Sequence, residues 1–173
     1  ILLNLLRQIY TNWLWFDALD YRSVYARILV TRVWLFFAGA LAFAAIVTPN
    51  AVFAYRSSKG ESAVPLAPEV YALLIRLFRW GIWLGIIMLV LIFGSVVSSQ
   101  WETFLRFINA VPFTTVDATS GQVVLAEEPV FHKNISFYVF TIPLLNLLQG
   151  WFLGAIIVTM VATGSIYIVN LSL

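Results

Sequence analysis

Residues 134–173 read NISFYVFTIPLLNLLQGWFLGAIIVTMVATGSIYIVNLSL, and none of these side chains is charged. Two earlier stretches repeat the pattern: residues 33–55 between Arg32 and Arg56, and residues 81–101 between Arg79 and Glu102. An aqueous globule needs polar groups on the outward side of its elements, and runs of this length leave too few. A bilayer demands such runs, because about 20 apolar residues cross its hydrocarbon core. The sequence therefore predicts an all-α fold of multi-pass transmembrane helices, with interfacial helices and one extramembrane loop.

Composition agrees. The 173 residues are 62% hydrophobic and 10% charged, where soluble domains carry about 25% charged residues. Mean hydropathy is +0.94. The net charge of +2 comes from ten Lys and Arg scattered at segment ends. That distribution suits a lipid surface and speaks against nucleic acid. There is no Cys, which removes disulfides, thiolate metal sites and cysteine nucleophiles together. The chain opens at Ile1 in an apolar run and closes in another at Leu173, so a longer protein is expected around it.

Residues 1–32 are expected to hold the end of a preceding helix plus an aromatic interfacial segment. The apolar run 1–6 is either that helix exit or a short interfacial helix. Tyr10, Trp13, Trp15, Phe16 and Tyr21 form an aromatic belt suited to headgroup depth. Arg22, Arg27 and Arg32 follow as phosphate anchors or snorkelling side chains. Residues 33–55 are the first complete span, and Pro49 is expected to loosen its last turns. Residues 56–79 form a cytoplasmic loop with a linker at 57–62, then an amphipathic lead-in with Val70, Leu73, Leu74 and Leu77 at helical spacing.

Residues 80–111 form the second transmembrane helix. Its end projects beyond the hydrocarbon, carries the Glu102–Arg106 pair, and stops at Pro112. Residues 112–142 are the extracytoplasmic loop. Within it, Thr115-Val116 and Val123-Val124-Leu125 flank Asp117 to Gly121 as a small hairpin, and residues 135–140 approach the membrane as extended or interfacial chain. Residues 143–170 form the last span, with Pro143 in its first turn, where the missing N–H costs nothing. Arg56, Lys59, Arg76 and Arg79 place the first loop in the cytoplasm by the excess of basic residues. Arg106 and Lys133, against Glu102, Asp117, Glu127 and Glu128, place the second outside. Arg7, Arg22, Arg27 and Arg32 argue the other way.

Two segments resemble a known family. Residues 10–25, YTNWLWFDALDYRSVY, lead into a span as in the first signature of uncharacterised protein family 0182, a group of large bacterial membrane proteins. Residues 101–107, WETFLRF, and 128–143, EPVFHKNISFYVFTIP, resemble its second signature. The resemblance implies N-terminal transmembrane helices ahead of a large extracytoplasmic region and later helices, which these residues do not contain. It implies a bacterial plasma-membrane location but no reaction. Glu128-Pro stands where Asp-Pro is more usual, and His132 where Gly is more frequent.

Candidate chemistry is sparse. His132 is the single histidine; a haem or chlorin ligand is one reading, a solvated loop histidine the plainer one. Zinc needs three or four close donors, and Glu127 and Glu128 read as ordinary loop acids. Asp17 and Asp20 suit a cation or, more simply, a pairing with Arg22 or Arg27. Asn146 and Gln149 share a helical face and suit a hydrogen bond to a neighbouring helix or to a pigment carbonyl. No span buries an ionisable group of the kind that marks a transport path, and no phosphate loop or dinucleotide fingerprint is present. Catalytic residues, metal ligands and cofactors are therefore not assigned.

Packing signals are stronger. Gly81 and Gly85, and Gly150 and Gly154, put small residues on one helix face, and Ala155, Thr159 and Thr163 continue the second stripe. The expectation is a non-enzymatic structural or accessory subunit, contacting lipid and other membrane subunits, beside a photosynthetic or respiratory core for example. The alternative is a transporter or cell-envelope enzyme whose working residues lie elsewhere in a longer protein.

Overall fold

A computed structural model describes residues 2–57, 68–117 and 121–172. Residues 58–62 of the linker read at 57–62, Lys59 included, and the hairpin tip at 118–120 lie outside them. Five α-helices are found among the described residues: α1 (Leu2–Ala18), α2 (Arg22–Ser57), α3 (Pro68–Ser99), α4 (Trp101–Ile108) and α5 (Ile142–Ser172). Strands β1 (Thr114–Val116) and β2 (Val123–Leu125) pair antiparallel, with Thr115 opposite Val124. Three stretches, Arg22–Ser57, Arg76–Ser99 and Phe137–Ile168, are long and apolar enough to cross a membrane. The expected all-α class and the small hairpin are both found.

Helix α2 is the spine. Its buried residues Leu35, Gly39, Phe43, Val47, Ala51 and Ala54 recur every three or four positions, so one continuous stripe faces its neighbours. Helices α3 and α5 both pack on α2, and the core gathers Phe43 and Val47 with Ile86, Trp151, Ala155 and Ile166. Phe43 stacks on Phe93 with ring centroids 4.0 Å apart, and Trp151 meets Phe93 edge-on at 5.8 Å. The Trp151 indole N–H donates to the Phe93 carbonyl at 3.3 Å, which satisfies it where water is scarce.

Local chemistry moves several element ends away from the sequence reading. Helix α2 begins at Arg22, so Arg27 and Arg32 lie on it rather than ahead of it. It also runs unbroken through Pro49. The Asn50 side-chain amide donates to the Ile46 carbonyl at 2.7 Å, adding a bond in the turn where proline removes one. Where one helix was expected to project to Pro112, α3 and α4 are separated at Gln100. There the Ser99 hydroxyl donates to the Val96 carbonyl and the Gln100 N–H to Val97, while Ser98 donates to Arg32 of α2. These side-chain and short-range bonds compete with the regular ladder.

Residues 135–140 are helical, not extended. The turn Phe137–Thr141 is π-helical, and the Ile142 N–H reaches the Phe137 carbonyl. The wider turn sits just before Pro143, whose ring would press on the carbonyl four residues back in a regular helix.

Candidate functional site at one end of the bundle

The α1–α2 junction is a helix-ending turn built on an aspartate. The Tyr21 N–H donates to the Phe16 carbonyl at 2.8 Å and the Asp20 N–H to Asp17 at 3.0 Å. Asp20 itself is left-handed, with φ 61°, the geometry a helix terminus usually assigns to glycine. The Asp17 carboxylate accepts from Arg22. That hydrogen bond holds the Asp17 carboxyl below its ordinary range, and it is the pairing with Arg22 that the sequence offered as the simpler reading. Tyr10, Trp15 and Tyr21 are exposed. Trp13 and Phe16 instead pack on Tyr25, Phe16 stacking at 5.0 Å. Tyr25 is buried, and its hydroxyl donates to the Ile9 carbonyl at 3.3 Å. The sequence reading stopped the belt at Tyr21 and missed this anchor, whose signal was the periodic continuation of the same aromatic run.

Between the hairpin and α5, Glu128 is an organiser rather than an ordinary loop acid. Its carboxylate accepts from the Val130 N–H at 2.9 Å, the Phe131 N–H at 2.8 Å and the Tyr138 hydroxyl at 3.2 Å. The two backbone donors pull its pKa down from the usual carboxylate value. Asn134 joins the parts: its side chain exchanges two hydrogen bonds with the Phe113 backbone and accepts from the Ser136 N–H. His132 is exposed and left-handed, with φ 51°, a position any glycine fits more easily. Among the described residues no cluster of three or more His, Asp or Glu could hold a metal.

The glycines divide sharply. A Cβ on Gly81, Gly85 or Gly150 would meet nothing within 4 Å, and one on Gly154 would only touch Phe93 at 3.9 Å. The close approach of α2 and α3 depends on Gly39 and Gly94, which the sequence reading did not single out. Ala155 and Thr159 of the second stripe are buried. Asn146 and Gln149 are exposed. Gly81 and Gly85 line an open cleft of about 300 Å³ facing Ala162 and Ser165 of α5. A second cleft, of about 270 Å³, lies between α2 and α5; Ala42, Val97, Phe104 and Leu148 line it.

The family model described as "Uncharacterised protein family (UPF0182)" matches residues 1–173. A UPF0182 protein of Streptomyces coelicolor is 34% identical over 88% of the chain and 15% of its own length. Relatives from Rhodococcus jostii and Nocardia farcinica are 33% and 31% identical over 92% and 89% of the chain, and 16% and 15% of their own lengths. The chain thus spans about 15% of the length of the curated relatives it matches. No solved structure matches it. With one family model covering every residue, the chain belongs to the uncharacterised protein family UPF0182.

Proposed function

We propose that this chain is a non-catalytic scaffold of the bacterial plasma membrane, a structural or accessory part of a larger membrane assembly. A photosynthetic or respiratory complex is one such setting. The reading is carried by the outer faces of α3 and α5. Leu84 is 64% exposed, Met160 68% and Val161 65%, and open glycines lie on the same two helices. Apolar faces of this extent are a liability in water, whereas lipid and further helices cover them at no cost. Photo-crosslinking residues placed at Leu84 and Met160 of the full-length protein, in native membranes, test the reading. Protein adducts at either position support it, and membrane-integrated protein yielding lipid adducts alone refutes the scaffold role.

A second reading follows from the share of the relatives that the chain spans. A transporter or cell-envelope enzyme could keep its working residues in the remaining length, with these helices as its membrane anchor. Substitution of acids outside this segment that abolishes a cellular phenotype, while Leu84 and Met160 yield no protein adducts, favours it.

A further inference from the structure

Arg56, in the last turn of α2, and Arg79, in α3, line one cleft of about 270 Å³ between the two helices. Its other lining residues are the aromatic Tyr55 and Trp83 and the apolar Ala51, Val52, Ile82 and Ile86. Among the described residues no carboxylate lines it. The ion pairs found among the described residues, Asp17–Arg22 and Glu102–Arg106, use neither guanidinium. Both arginines are exposed, and each guanidinium offers a planar fork of donors.

The cleft lies at a shared end of two stretches fit to cross a membrane, because Arg22–Ser57 finishes and Arg76–Ser99 begins there. Amphipathic rings such as Tyr55 and Trp83 favour this depth. Guanidinium forks match the oxygens of a phosphate. The wall beyond them is hydrocarbon. An occupant with an anionic headgroup such as phosphate, an apolar tail and no cation of its own to oppose the arginines suits this lining.

We propose that this cleft binds an anionic phospholipid, its phosphate held by Arg56 and Arg79 and its first acyl methylenes laid along Ala51, Ile82 and Ile86. The proposal rests on the membrane reading above. Full-length protein in detergent is titrated with phosphatidylglycerol and with phosphatidylcholine, and bound lipid is counted by native mass spectrometry. Phosphatidylglycerol is retained roughly tenfold or more tightly, as two basic residues near an anionic headgroup supply. R56Q/R79Q loses that preference and R56K/R79K keeps most of it. The single variants R56Q and R79Q each lose part, which covers the case of a double variant that does not fold. R106Q, an exposed arginine of α4 already paired with Glu102, leaves the preference intact.

Equal retention of the two lipids by the wild type overturns the proposal, as does an equal loss in R106Q. Displacement of phosphatidylglycerol by millimolar inorganic phosphate also overturns it, since the cleft then serves a free anion. Protein missing from the membrane fraction of cells refutes the membrane reading instead, so the two failures are distinguishable.

Discussion

The carbonyl oxygen of Phe36 on α2 lies 2.9 Å from where a Cβ would stand on Gly94 of α3. Backbone cannot swing aside as a side-chain tip can, so Gly94→Leu must part the two helices. A loss of about 3 kcal/mol is expected, at the upper end of overpacking costs. Gly81→Leu, which meets nothing within 4 Å, is expected to stay within about 0.5 kcal/mol. Denaturation of the detergent-solubilised protein, followed by near-UV circular dichroism, compares them. Similar losses in both variants would contradict the packing described.

Thr159 is 6% exposed, and its hydroxyl finds no hydrogen-bond partner among the described residues. An unpaired buried hydroxyl costs about 1–3 kcal/mol by mutational measure. Thr159→Val keeps the shape and removes that cost, so a gain of about 1 kcal/mol is expected. Thermal unfolding in a fixed detergent reads it; a loss of stability would mean that the hydroxyl has a partner after all.

Asp20 occupies a left-handed position at the end of α1. Glycine adopts that geometry without the penalty of about 1–2 kcal/mol that a Cβ carries. Asp20→Gly should therefore stabilise the α1–α2 junction by about 1 kcal/mol, and Asp20→Val should weaken it. Protease sensitivity at the junction is the direct measurement. Faster cleavage of Asp20→Gly than of wild type would sink the assignment.

Glu128 couples its loop to pH. Its folded pKa lies below the ordinary carboxylate value because Val130 and Phe131 donate to the charged form. A depressed acid stabilises above its unfolded pKa of about 4.3, and the contribution fades as pH falls through the folded value. Amide protection at Val130 and Phe131, corrected for intrinsic exchange, should hold at neutral pH and drop below about pH 4. Glu128→Gln should lower protection at neutral pH and flatten the profile. An unchanged profile in that variant would remove Glu128 from its role.

Much of the fold was legible in the residues, because the uncharged runs and the hairpin carry one-dimensional signals. The pattern around Asp117 is a local statement about backbone and is found as the β1–β2 hairpin, whereas the prolines were weaker guides: α2 runs through Pro49, and α4 ends at Ile108, before Pro112. The break at Gln100 was not legible. It depends on Ser98 donating to Arg32 across two helices, a partner that spacing along the chain does not reveal. Glu128 looked ordinary for the same reason: a carboxylate becomes an organiser only when Val130, Phe131 and Tyr138 curl around it.

By itself the sequence determined the element type, since an uncharged run long enough to cross a membrane must satisfy its own backbone and a helix does so without neighbours. Tertiary structure alone decided which small residues matter. Gly39 and Gly94 are the tight ones and Gly81, Gly85 and Gly150 the open ones, although all five lie in apolar helices. Close approach is a property of two surfaces at once, so no single helix sequence contains it.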